Sequence, residues 1–329
     1  MNTTLPSILT RGVAEVLPSA AALADVMTQK KIRLYLGIDP TSNKLHLGHS
    51  VVLRKLQEFA DAGHEVILLI GNGTVKIGDP TGRDKTRPVL TDQEIETNFA
   101  TWKQQAEKIL DFSKITIRRN GDWLDKLSFA DLVHIMSKMS VQQLLERDMF
   151  QERIKNGLPI FVHELIYPLA QGYDSVVMDV DLELGGTDQT FNMLMGRQLQ
   201  KLMNNREKFV LSVPLLLGTD GRKMGKSLGN FIGMTETPED MYGKLMAITD
   251  AIIINYYTLL TDIPAVEIAD MERGLANGSA HPMELKKKLA FTITKQYHGE
   301  ALAQAAQEHF EKTVQKKEVP TDLPEIIVT

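Results

Sequence analysis

Two short segments carry residue types able to handle a polyphosphate. The first, Pro40-Thr-Ser-Asn-Lys-Leu-His46-Leu-Gly48-His49, lies between a β-favouring run and a helical one. Histidines about one turn apart at a helix start can both face an anion held by the helix N-terminus. As donors they can stabilise charge growing on a phosphoryl oxygen. Gly48, without a Cβ, lets a flat ring or a ribose lie against the backbone. The second segment, Thr219-Asp-Gly-Arg-Lys223-Met-Gly225-Lys226-Ser227, sets two lysines beside a glycine and a hydroxyl. Such a cationic loop can close over a polyphosphate and neutralise it. Neither segment has the spacing of a Walker loop. Each alone reads equally well as a surface histidine pair or a solvated charged loop. A third set, Tyr167, Gln171 and Asp174, stands at i, i+4 and i+7, so a helix aligns it on one face. Its carboxylate can accept from a phenol, and the Tyr hydroxyl and Gln carbonyl can accept from an ammonium. Pro168 must lie in the first turn of that helix or kink it. A helix with a polar exposed face is the competing reading.

The elements that must position these residues alternate in period. Ile32–Ile38 is short, apolar and β-favouring and ends at Asp39-Pro40. Ser50–Ala62 repeats apolar residues on one helical face and stops at Gly63, and Val66–Ile70 is a continuous apolar run of strand length. Strand, helix and strand make a βαβ unit. Thr91 and Glu94 form a capping-box pattern ahead of helical spacing at Ile95, Phe99, Trp102, Ala106 and Ile109. Val176–Val180 and Phe209–Val213 read as further strands around a helix from about Gln189 to Met203. The pattern predicts an α/β domain with a doubly wound parallel sheet over residues 1–233, with ligand loops at its strand ends. After Gly233 strand-like runs become rare. Ala265–Leu275 and Pro282–Thr313 favour helix, so a smaller all-helical domain is expected over 234–318. The stretch 319–329 reads as a Pro-containing linker to a further, missing domain, with a natural tail as the alternative.

The His-Leu-Gly-His and Lys-Met-Gly-Lys-Ser segments, in that order, resemble the paired HIGH-type and KMSKS-type signatures of class I aminoacyl-tRNA synthetases. Gly225 stands where the second signature usually has serine. Tyr35-Leu-Gly37-Ile-Asp39-Pro-Thr, Ile77-Gly-Asp79-Pro-Thr-Gly, Tyr167-Pro-Leu-Ala-Gln171-Gly-Tyr-Asp174 and Gly185-Gly186-Thr-Asp188-Gln189 are similar to the bacterial-type tyrosyl-tRNA synthetases. The family's Trp after the last of these is Thr190 here. The resemblance implies a Rossmann-like (HUP-type) catalytic domain with a helical insertion at about 120–165, and tyrosine activation by ATP before transfer to tRNA(Tyr). It implies that Tyr35 and Asp174 hold the phenolic hydroxyl, and that Tyr167, Gln171 and Asp79 hold the α-ammonium group. Gln189 would meet the reacting carboxylate and Asp188 the ribose, with Gly37, Asp39, Gly48 and Gly186 shaping the ATP site. His46, His49, Lys223, Lys226 and Ser227 would act on the phosphates, and Arg83 and Arg87 on the leaving pyrophosphate. ATP enters as substrate with Mg²⁺, and no protein-ligated metal is expected. The family further implies a homodimer in the cytoplasm with 120–165 at its interface. Asp122-Trp123 and Met136–Met149 are apolar-rich enough to permit that.

Composition narrows the alternatives. The 329 residues include no cysteine, which excludes disulfides and thiolate chemistry. No apolar run reaches the ~20 residues of a membrane span, and residues 1–31 do not read as a signal peptide. The net charge of -5, with acid in excess after Met234, argues against a protein that coats nucleic acid. Three rivals stand beside tyrosine activation. Tryptophan activation fits Tyr35 and Asp174 poorly, because an indole places its donor elsewhere. A pantothenate-type ligase shares the His-x-Gly-His element but does not need the face made by Tyr167, Gln171 and Asp174. An inactive paralogue or RNA scaffold would not need the full set of His and Lys residues.

Overall fold

The computed structural model describes residues 5–81, 90–225 and 228–315. Its strands are β1 (Glu15–Leu17), β2 (Arg33–Ile38), β3 (Glu65–Ile70), β4 (Ile115–Arg119), β5 (Leu182–Gly186) and β6 (Phe209–Val213). They form one sheet in the order β1-β6-β5-β2-β3-β4. β1 runs antiparallel to β6, and every other neighbouring pair is parallel. From β2 the chain winds outward to β3 and β4, then returns to add β5 and β6 on the other side. β3 is buried at every residue after Glu65, as expected of a parallel strand covered on both faces.

The helices follow from local signals. α1 (Ala20–Gln29) is capped by Ser19, whose hydroxyl accepts from the Ala22 N–H at 3.1 Å. α2 (Leu47–Asp61) crosses from β2 to β3, and α3 (Thr74–Ile77) is a single turn after β3. α4 (Asp92–Ala106) has the expected capping box between Thr91 and Glu94. The short α5 (Gly121–Leu124), α6 (Phe129–Met136), α7 (Val141–Leu145) and α8 (Asp148–Lys155) follow β4. α9 (Val162–Met178) and α10 (Thr190–Asn204) pack closely because glycines face each other. A Cβ on Gly172 would stand 3.1 Å from the Gly196 nitrogen.

The expected strand at Val176–Val180 does not form. Its first three residues end α9, Asp179 takes a left-handed conformation, and β5 begins at Leu182. The β-branched residues are overridden because the helix end is held from outside. Arg33 donates to the Met178 carbonyl at 3.1 Å, Asn204 to Val176 at 3.0 Å and Arg206 to Asp179 at 2.7 Å. β1 and β4 are additions to the expected sheet. Both are edge strands, the first only three residues long and the second with buried and more exposed positions alternating.

The chain divides into two compact units, one holding residues up to Leu45 and His49–Leu215, the other His46–Gly48 and residues from Leu216 onward. The sheet and α1 with α3–α10 belong to the first. The second contains α11 (Pro238–Met246), α12 (Ile253–Leu260), α13 (Ala265–Asn277), α14 (Pro282–His298) and α15 (Glu300–Phe310). The expected single run over Pro282–Thr313 is two helices, broken at Gly299 with φ +87°. α11, α14 and α15 pack together around Tyr242, Leu289, Ile293 and Ala303, all fully buried. Among the described residues no helix is long and apolar enough to cross a membrane.

Candidate active site

In the first unit a cavity opens at the carboxyl ends of β2, β3 and β5, where the winding of the sheet reverses. Gly37 and Asp39 reach it from β2, Gly186 from β5 and His49 from the first turn of α2. Asp39 is fixed on both oxygens, accepting from Thr74 Oγ1 at 2.7 Å and from the Tyr167 hydroxyl at 2.9 Å. Gly71, just after β3, makes this possible. A Cβ there would lie 1.9 Å from Asp39 Oδ1 and 2.4 Å from Thr74 Oγ1.

One face of α9 lines the cavity with Tyr167, Gln171 and Asp174, as their spacing predicts. Pro168 lies inside the helix rather than in its first turn, so α9 lacks one interior backbone bond. Asp174 is 2% exposed and accepts from Asn120 Nδ2 at 3.1 Å and Trp123 Nε1 at 2.9 Å. Burial nevertheless pushes its carboxyl well above the usual range, outweighing those two donors. Asp79 also lines the cavity. It accepts from Gln189 Nε2 at 2.9 Å and from the Thr81 N–H at 3.0 Å. Gln189 is itself held by Asn192, which donates to its Oε1 at 2.9 Å.

Tyr35 lies deeper. It is fully buried among Ile67, Leu69, Met178 and Val180, its hydroxyl lies 2.9 Å from Ser175 Oγ, and it does not line the cavity. Burial raises its phenol well above the ordinary value. Its ring packs into the core of that unit, while the next four residues, Leu36 to Asp39, reach the lining. Asp188 also lies apart, in a neighbouring cavity with Thr187, Thr190 and Arg147. Arg147 is 6% exposed, donates to Thr81 Oγ1 and stands 3.7 Å from Asp79.

In the second unit His46 precedes α2 and bridges to Gly233, and its Nδ1 accepts from the Gly48 N–H at 3.1 Å. A Cβ on Gly48 would press to 2.9 Å from the His46 ring, so the glycine sets that ring's place. Lys223 is exposed at a bridge to Leu217. Its loop is pinned by buried Asn230, which accepts from the Gly225 N–H at 2.9 Å and donates to the Lys223 carbonyl at 3.1 Å. Asn230 also donates to the Asp220 carboxylate at 2.7 Å. That last bond is the main reason the Asp220 carboxyl is brought down to about 2. Arg83, Arg87, Lys226, Ser227 and the expected linker at 319–329 lie outside the described residues.

Sequence reasoning missed Asn120, Thr74, Glu183, Arg147 and Asn230, and it read Trp123 only as interface material. No motif marks them, because each acts on a partner outside its own local pattern. Among the described residues no cluster of three or more His, Asp or Glu could hold a metal.

Residues 27–315 match the family model described as tRNA synthetases class I (W and Y). The chain is 48% identical over 323 residues to a tyrosine–tRNA ligase of Thermotoga maritima, covering 98% of this chain and 80% of the relative. A tyrosine–tRNA ligase of Colwellia psychrerythraea is 46% identical over 322 residues, covering 98% and 80%. Among solved structures, tyrosyl-tRNA synthetase of Archaeoglobus fulgidus complexed with L-tyrosine is similar at a TM-score of 0.76. It is 22% identical, with 92% of this chain and 98% of that chain covered, a likeness of fold.

Proposed function

The chain belongs to the class I tRNA synthetases of the tryptophan and tyrosine family, and from that premise we propose how its residues divide the work of a tyrosine–tRNA ligase. The enzyme activates L-tyrosine with ATP to tyrosyl-adenylate and pyrophosphate, then passes tyrosine to the terminal adenosine of tRNA(Tyr). The observation that carries the assignment of roles is the α9 face. Tyr167, Gln171 and Asp174 line one cavity together with Asp79 and Gln189. Asp174 receives the phenolic hydroxyl at the buried end, beside Asn120 and Trp123. Tyr35, buried with its hydroxyl on Ser175, is the second residue proposed to hold that hydroxyl. Gln171, Tyr167 and Asp79 surround the ammonium, and Gln189 faces the carboxylate. A pocket built to pair a hydroxyl rejects the analogue that lacks it, because its buried polar groups would go unpaired. Tyrosyl-tRNA synthetase against phenylalanine is the standard illustration of that rule.

No side chain acts as a nucleophile. A tyrosine carboxylate oxygen attacks the α-phosphorus, and pyrophosphate leaves with the Mg²⁺ that accompanies ATP. Rate comes from alignment and charge stabilisation. His46 and His49 serve the α-phosphate, with Gly37, Asp39, Gly48, Gly186 and Asp188 shaping the nucleotide site. Lys223, Lys226, Ser227, Arg83 and Arg87 serve the leaving group. A ribose hydroxyl of tRNA then attacks the carbonyl and AMP departs. The division into a catalytic domain over 1–233 and a helical domain over 234–318 belongs to the same proposal, as do a cytoplasmic location and a homodimer. Exposed Phe129, Val133, Val141, Ile154 and Val162 in the stretch after β4 support the dimer. Incubation with labelled tyrosine, ATP and tRNA(Tyr) tests the ligase reading. Acid-stable label on the tRNA, discharged by mild base, is expected; adenylate without any transfer would contradict the second step.

A further inference from the structure

Behind Gln171 lies a pair of charges that the proposed chemistry does not use. Lys208 and Glu183 are 0% and 2% exposed and form an ion pair, Lys208 Nζ donating to Glu183 Oε2. Lys208 also donates to Ser175 Oγ at 2.9 Å, and Ser175 meets the Tyr35 hydroxyl. Gly196 leaves room for the amine, since a Cβ there would stand 2.5 Å from Nζ. A buried ion pair is weak evidence for stability, because desolvation offsets its attraction. Burial indeed lowers the Lys208 amine, with Glu183 opposing the shift. The other oxygen of Glu183 reaches the cavity wall, where Gln171 Nε2 donates to Oε1 at 3.0 Å.

A carboxylate accepts and never donates, so Lys208, Gln171 and Ser175, whose Oγ lies 3.4 Å from Oε2, must all turn donors toward it. The amide of Gln171 is thereby fixed with its NH₂ inward, leaving Oε1 as the end available to the cavity. The reverse orientation would set an NH₂ against an incoming ammonium. We propose that Lys208 is a positioning residue for amino-acid recognition, holding Glu183 as an acceptor so that Gln171 presents a carbonyl, selective for a cationic amine, to the substrate. The proposal rests on the reading that Gln171 meets the ammonium group.

Two substitutions disturb the polarity of this chain. In Lys208→Met the buried Glu183 loses its partner and takes up a proton, which it can donate to Gln171. In Glu183→Gln the new carbonyl is claimed by Lys208 and the new NH₂ faces Gln171, which must then accept. Glu183→Gln turns the Gln171 NH₂ toward the cavity, and Lys208→Met frees the amide to turn, since a neutral carboxyl can either donate to it or accept from it.

The test is isothermal titration of the full chain with L-tyrosine, tyramine and 3-(4-hydroxyphenyl)propionate, the last lacking the ammonium. Both variants are expected to weaken tyrosine and tyramine roughly 10- to 100-fold, the scale of a hydrogen bond to a charged group. The propionate should stay within about twofold, since it makes no such bond. Equal weakening of all three ligands, or of none, overturns the proposal. Where Lys208→Met does not fold, Lys208→Met/Glu183→Met takes its place, because it buries no unpaired charge. A smaller loss of the same selectivity is expected, since Gln171 then has no acceptor to hold its NH₂ inward and no donor to turn it outward. Gln171→Ala separates the two levels of the argument. If it leaves the preference for tyramine over the propionate intact, the reading that Gln171 meets the ammonium falls; if it reduces that preference while neither Lys208→Met nor Glu183→Gln does, only the role of Lys208 falls.

Discussion

At the scale of the residue, the buried end of the cavity turns on Asp174. Its carboxyl is raised by desolvation although Asn120 and Trp123 both donate to it. A group whose folded-state value is raised binds more protons folded than unfolded. Its contribution to stability is therefore present below the unfolded value of about 4 and lost as pH rises through the folded one. Replacing Asp174 by alanine removes that loss. The melting temperature of Asp174→Ala minus that of the wild type is expected to increase with pH across this window, read by calorimetry at stepped pH. A constant difference would mean that Asp174 is not desolvated in the apo enzyme. The placement of Asp174 on the cavity wall was legible in the sequence because Tyr167 and Gln171 share its helical face. Its donors were not, since Asn120 and Trp123 come from beyond β4 and carry no motif. Tyr35 was marked by the resemblance alone, and its packing against Ile67, Leu69, Met178 and Val180, with its hydroxyl on Ser175, comes from elements distant in the chain.

Elements position these groups through close approach at two places. After β3, Gly71 lets Asp39 and Thr74 meet, and a methyl group there overlaps both. Gly71→Ala is expected to destabilise the protein by about 1–3 kcal/mol, the usual cost of overpacking. It should also raise the KM for ATP, measured by urea unfolding beside exchange kinetics; unchanged values would show that β3 yields without disturbing Asp39. In the lysine loop, Asn230 makes three hydrogen bonds to residues 220–225. Asn230→Ala should lower kcat for pyrophosphate exchange with little change in the KM for tyrosine, at roughly tenfold per 1.4 kcal/mol of lost positioning. An equal rise in the tyrosine KM would argue for a general loosening instead. Element identity was readable where caps and periodicity agree, as at α4 and the start of α14. It failed at Val176–Val180, where β-branched residues close a helix whose last carbonyls are taken by Arg33, Asn204 and Arg206. Local propensity does not register donors supplied by other parts of the chain.

For the whole molecule, the alternation of strand and helix gave the doubly wound sheet, and the loss of strand-like runs gave the helical second unit. The edge strands β1 and β4 escaped because one is too short for periodicity and the other ends in two arginines. The apolar surface of α6 to α9 bears on assembly, since Phe129 is 83% exposed and Val162 72%. Phe129→Asp is expected to shift the protein from dimer to monomer in sedimentation velocity; a monomeric wild type would contradict the proposed interface. The central claim is that this fold activates tyrosine at a site whose specificity resides in Asp174. ATP–pyrophosphate exchange with each of the twenty amino acids, for wild type and Asp174→Ala, tests it most directly. Exchange driven by tyrosine alone and lost in the variant is the predicted result. Exchange with another amino acid instead of tyrosine, or tyrosine exchange that survives in Asp174→Ala, would contradict it.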